Sequence, residues 1–227
     1  MDQTSLQAWA VARSMFKGCM ALPEVYKKST SLKPHNFEAN LLSFGKRQDV
    51  VFTKKNILKL HKGRVALPEF RFWIKQPFSA FEKIKILLEF GNFIKAKKAN
   101  LEYLLVLLST CLEATAVYMN FHPLCVALIG DEEGPIFFFL RNTRSPLLIL
   151  RRNKYGYWHT QFEVTKEEPR VKFSFASIDV GMQSCLEEVN PLVASALGDY
   201  QIEGYLPLMD KVGYCSRVTA KELPLLI

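Results

Sequence analysis

From Tyr103 to Gly130 the chain carries a single formal charge, Glu113, and no other stretch of comparable length is so nearly uncharged. An apolar run longer than about 18 residues is the usual threshold for a membrane span. Read as a helix, however, Glu102, Ser109, Glu113 and Asn120 recur at spacings of seven, four and seven, so they line one narrow stripe. Leu104, Leu105, Val106, Leu107, Leu108, Leu112, Val117 and Met119 fill the rest of the circumference. Placing Glu113 at mid-bilayer would cost roughly 2.5–3.5 kcal/mol. His122-Pro123 then end the helix. The expectation is a central core helix whose polar stripe meets water or a polar partner.

The segment before it has the same character. Between Phe78 and Lys98, Glu82, Lys85, Glu89 and Asn92 fall on one face, while Phe81, Ile84, Leu87, Leu88 and Ile94 are expected on the core side. Ser79 is placed to cap the start after Pro77, and Lys95, Lys97 and Lys98 complement the negative end of the helix dipole. Asn100 is placed to cap the next helix, so the two segments form an αα-hairpin.

Around this hairpin, Leu6, Trp9, Ala10, Arg13, Met15 and Phe16 predict an amphipathic helix over about 5–20, capped by Thr4 or Ser5. Residues 23–36 read as a loop and the stretch to Gly45 as a short helical piece. Pro68–Lys75, aromatic and bounded by prolines, reads as an extended edge, its Phe70, Arg71, Phe72 and Trp73 able to stack nucleic-acid bases. After Pro123 the pattern turns to short β-rich runs at 124–129, 135–141, 146–152, 155–164 and 171–178, with polar turns between them, as in an antiparallel meander. A helix over 181–197, interrupted at Pro191, and two further strands at 200–205 and 211–218 complete the reading. The fold class is therefore α+β: N-terminal helices and a central apolar helical hairpin packed on an antiparallel meander. Length bounds this to a single domain over residues 1–227, with a basic helical region over residues 1–75, the hairpin over residues 76–123 and a β-rich region over residues 124–227.

The charge is uneven. Residues 1–100 hold 19 Lys and Arg against 7 Asp and Glu, a balance of +12, whereas residues 101–227 hold 11 against 15, a balance of −4. The densest cluster is Lys46, Arg47, Lys54, Lys55, Lys59, Lys62 and Arg64. With Thr53 as cap, Lys55, Lys59 and Lys62 share one helical face, and Lys54 and Lys55 lie in the first turn, where the dipole opposes cations by about 0.3–1 kcal/mol each. An anionic ligand would remove that cost. Those seven residues are the candidate contacts of a non-enzymatic binding or assembly protein engaging RNA, DNA or a nucleoprotein. Lysines attract without discriminating sequence, because base readout prefers planar bidentate donors. A peripheral structural or accessory protein on an anionic membrane surface is a variant of the same reading, and homo-oligomerisation fits either.

Five cysteines at irregular spacings, with no C-x-x-C pair, suit thiols used as small apolar residues in a cytoplasmic or nuclear, reducing setting. The N-terminus shows no basic-then-apolar secretory pattern. The rival class is a cysteine hydrolase. Gly18-Cys19 ends a helix and Tyr157-Trp158-His159 lies in a later strand, an order that resembles ovarian-tumour-type cysteine proteases and would make Cys19 the nucleophile and His159 its base. The acidic residue and the Asn that precede that family's nucleophile are missing here, where Phe16 and Lys17 stand before Gly18-Cys19. Leu147–Trp158 resembles the strand before a Nudix box, but clustered glutamates do not follow it. His35, His61, His122 and His159 are too scattered for a local metal motif, and no metal or cofactor is expected.

Overall fold

The protein was analysed as a computed structural model, which describes residues 1–22, 34–38, 41–44, 50–61, 67–75, 77–163, 166–186 and 191–223. The chain is α+β, with helices packed on a five-stranded mixed sheet and a separate three-stranded sheet near the N-terminus. Helix α1 (Gln3–Ala21) starts at Asp2, whose carboxylate accepts from the Ser5 N–H at 2.8 Å, so the cap lies ahead of the expected Thr4 or Ser5.

The small sheet, β1 (Pro34–Glu38), β2 (Leu41–Phe44) and β3 (Val50–Thr53), is antiparallel. The helical piece expected before Gly45 is therefore corrected to a hairpin, a pairing that local periodicity does not disclose. Thr53 caps α2 (Lys54–His61) as expected, its hydroxyl accepting from the Asn56 N–H at 3.3 Å. Pro68–Lys75 is corrected from an extended edge to a helix, α3 (Phe70–Lys75). Phe70 and Ile74, four apart, carry the helical period that the denser aromatic run obscured.

Helices α4 (Pro77–Lys95) and α5 (Leu101–Phe121) form the expected hairpin. Asn100 caps α5, its side-chain oxygen accepting from the Tyr103 N–H at 2.8 Å, and the Tyr103 hydroxyl donates to the Ile94 carbonyl at 2.6 Å across the turn. Helix α5 is the core helix, with 14 of its 21 residues buried; its main helical partner is α1 rather than α4. Gly18 makes that approach possible. A Cβ there would stand 2.5 Å from Thr110 Oγ1 and 2.6 Å from the Phe90 ring. The run after it is α6 (Pro123–Ile129), not a strand, because Pro at the first helical position presets φ and gives up no bond.

The main sheet contains β4 (Ile136–Leu140), β5 (Leu148–Arg152), β6 (Trp158–Gln161), β7 (Val171–Phe175) and β8 (Tyr200–Gly204), in the spatial order β6-β5-β4-β7-β8. The first three are the expected meander. The continuation is corrected: β7 crosses back and pairs parallel with β4, from Ile136 opposite Val171 to Leu140 opposite Phe175. Helices α7 (Ile178–Cys185), α8 (Pro191–Ala196) and α9 (Leu206–Glu222) complete the chain. The strand expected over 211–218 is corrected to α9, where Leu208, Val212, Cys215 and Thr219 are buried at helical spacing.

Candidate functional site

The polar stripe of α5 explains why β7 does not extend the meander. Strand β6 is an edge strand, and its outward backbone groups at Trp158 and Thr160 are satisfied by side chains instead of another strand. Asn120 accepts from the Trp158 N–H and donates to its carbonyl, both at 2.8 Å. One carboxylate oxygen of Glu113 accepts from the Thr160 N–H at 2.9 Å and from its hydroxyl at 2.6 Å, while the other accepts from Arg13. Lys17 donates to the Thr160 carbonyl and lies over the Phe162 ring. Burial pushes the Lys17 ammonium below its ordinary value; the nearby Glu113 carboxylate pulls the other way. This network closes the sheet edge and belongs to the scaffold.

The rival catalytic pair does not assemble around it. Cys19 is buried and its thiol is pushed up to about 12 by that burial, the environment of an inert core cysteine. Among the described residues no hydrogen bond joins it to His159. The His159 ring is half-buried, with Nδ1 unpartnered, and burial lowers its pKa below the ordinary 6.5.

The basic cluster is divided by the fold. Lys54 points inward, donating to the Ser5 hydroxyl and standing 3.8 Å from the Asp2 carboxylate, which answers part of the first-turn charge cost. Lys55 and Lys59 are exposed. Lys46, Arg47, Lys62 and Arg64 lie outside the residues whose side chains are described. No group of three or more His, Cys, Asp or Glu able to hold a metal occurs among the described residues.

A cleft of about 190 Å³ opens between α1, α5, α7 and α9. Val11, Ser14, Thr110, Thr115, Thr219 and Leu223 form its buried wall; Cys111, Ala114, Ser184, Cys185, Leu186, Ser216 and Ala220 are half-buried towards its mouth. Among the described residues no charged side chain lines it. The hydroxyls of Ser14, Thr110, Thr115 and Thr219 donate to the carbonyls of Val11, Val106, Cys111 and Cys215 at 2.7–3.0 Å. Their protons are thus committed to their own helices, and the oxygens keep lone pairs free to accept. The Cys111 thiol donates to the Cys185 carbonyl at 3.5 Å, and the hydrogen bond it shares with the Cys185 thiol, with burial, drives the latter far above its ordinary pKa. Sequence reasoning missed this cleft, because its walls converge from four helices separated along the chain.

No family model and no curated protein matches the chain. Among solved structures it is similar to the solution structure of the sterol carrier protein domain 2 of Helicoverpa armigera, at 21% identity and a TM-score of 0.38, over 51% of this chain and 89% of that one. That similarity bears on neither ligand nor activity.

Proposed function

We propose that the protein is a non-enzymatic binding protein whose cleft between α1, α5, α7 and α9 holds a small uncharged molecule with an apolar body and a hydrogen-bond donor. One observation carries this reading: the described wall of the cleft bears no formal charge, and the hydroxyl oxygens of Ser14, Thr110, Thr115 and Thr219, having spent their protons on helix carbonyls, remain as acceptors. A neutral alcohol satisfies such a wall. A carboxylate would meet lone pairs, and an ammonium would lose its hydration without gaining a counter-ion. About 190 Å³ is room for a ring or a short alkyl segment, since a cavity on the order of 150 Å³ already takes benzene. A longer body would leave part of itself at the mouth. Octanol, octanoate and octylamine, matched in length, test the reading by thermal denaturation and native mass spectrometry. Octanol is expected to stabilise the fold, by about 2.7 kcal/mol at a hundredfold excess over its Kd. Ala114→Phe, which fills the cleft from its rim, should abolish the effect. Equal stabilisation by all three compounds, or an unaltered response in A114F, sinks the proposal.

A second reading, binding of nucleic acid or another polyanion through the basic N-terminal region, is supported by the exposure of Lys55 and Lys59 on a helix with no acidic residue in its first turn. Its test is the anisotropy of a labelled single-stranded RNA. Affinity should fall steeply with salt and drop at least about tenfold in K55E/K59E; an unchanged affinity dismisses it.

A further inference from the structure

Among the described residues, the outer face of α3 and α4 carries an unusual group of exposed apolar side chains. Phe70, Ile74, Phe78 and Phe81 are exposed by 77%, 70%, 89% and 65%, with Leu88 at 46% beside them. On α4 the exposed residues Phe78, Phe81, Lys85, Leu88 and Asn92 follow one another at spacings of three and four, so they form one stripe. Ala80, Ile84, Leu87 and Phe90 occupy the opposite, buried side. The periodicity of the sequence places Phe81 and Leu88 in the core; the helix turns them outward. Single exposed apolar residues are ordinary, but Phe78, Phe81 and Leu88 on one face of one helix, with Phe70 and Ile74 exposed on the helix before it, mark an interaction surface.

We infer that this face docks on an anionic lipid bilayer. The charge around it decides the occupant. Arg71, Lys75, Lys95, Lys97 and Lys98 are all exposed around the stripe. They complement phosphate headgroups, each cation near such a surface contributing on the order of 1 kcal/mol. Lys85 sits inside the stripe, loosely paired with Glu89 at 3.9 Å. At the centre of a protein–protein contact that ammonium would be desolvated, and charged residues are depleted there. At a bilayer its stem lies among the acyl chains while the ammonium reaches the headgroups. Helices α3 and α4 then lie in the interfacial plane, with the phenyl rings below the headgroup level. Nothing in this requires the α5 cleft, which is formed by other helices.

Vesicle flotation tests the inference on the full chain. Vesicles of phosphatidylcholine containing about 30 mol% phosphatidylserine should carry the protein up the gradient at low salt, and vesicles of phosphatidylcholine alone should carry it at least about tenfold less. F78S/F81S should lose binding at least about tenfold while keeping its melting temperature, because both rings already stand in water. K75E/K85E should lose it at low salt as well. A114F should still float, which separates this surface from ligand binding in the cleft. Flotation unchanged in F78S/F81S, equal binding to neutral vesicles, or binding to RNA but not to either vesicle overturns the inference.

Discussion

At Glu113 a carboxylate only 1% exposed is held by donors from two other elements, the Arg13 guanidinium and the Thr160 N–H and hydroxyl. Removing it leaves a guanidinium without its partner and a buried N–H without an acceptor. Glu113→Ala should therefore cost about 3 kcal/mol, the low end for breaking a buried pair because Arg13 keeps some access to water. Urea denaturation measures it, and R13M/E113L should recover part of the loss. His159 provides a pH signature. Burial is the leading cause holding its folded pKa below 6.5, with Glu113 opposing and Lys17 reinforcing. Between the folded value and 6.5 the unfolded chain binds more protons, so stability falls as pH drops below about 6.5. Melting temperatures across that range should decline less steeply in His159→Gln. The polar stripe containing Glu113 was legible from spacing alone. Its partners were not: Arg13 lies 100 residues away in sequence and Lys17 stands 143 from Thr160, distances over which no periodicity reaches.

The caps at Thr53 and Asn100, the core helix and its hairpin partner were readable because those caps and the apolar circumference of α5 act within one or two turns, whereas the α1 cap fell at Asp2 instead of Thr4 or Ser5. The short runs were harder. Phe70–Lys75 and Pro123–Ile129 are only 6 and 7 residues long, too few for their apolar period to separate helix from strand. Tertiary surroundings chose. The edge of β6 supplies a test at this scale. Asn120→Ala strips the Trp158 N–H and carbonyl of their partner and should cost about 1–3 kcal/mol. Hydrogen exchange at the Trp158 amide should accelerate beyond what the global loss explains. Gly18→Val tests the α1–α5 contact, since its Cβ must displace Thr110 or Phe90. The expected cost is about 1–3 kcal/mol, read as a lowered melting temperature.

For the molecule as a whole, α+β architecture followed from a helical first half and a β-rich second half, and it holds. The strand order did not follow, because the edge at which a returning chain adds depends on which edge is already occupied. Here Asn120, Glu113 and Lys17 occupy the outer edge of β6, so β7 crosses to β4. The candidate surfaces divided in the same manner. The charge imbalance could be counted along the chain; the cleft and the outward turn of Phe78 and Phe81 exist only once helices pack. The side-chain cover on β6 also bears on biosynthesis. Helix α1 is synthesised before the sheet, so Lys17 waits 143 residues for the Thr160 carbonyl, and Gln7 waits 215 for the Glu222 carbonyl. At roughly 5–20 residues per second the first interval lasts about 7–29 s, during which Lys17 has no β6 carbonyl to bind and the edge network stays open.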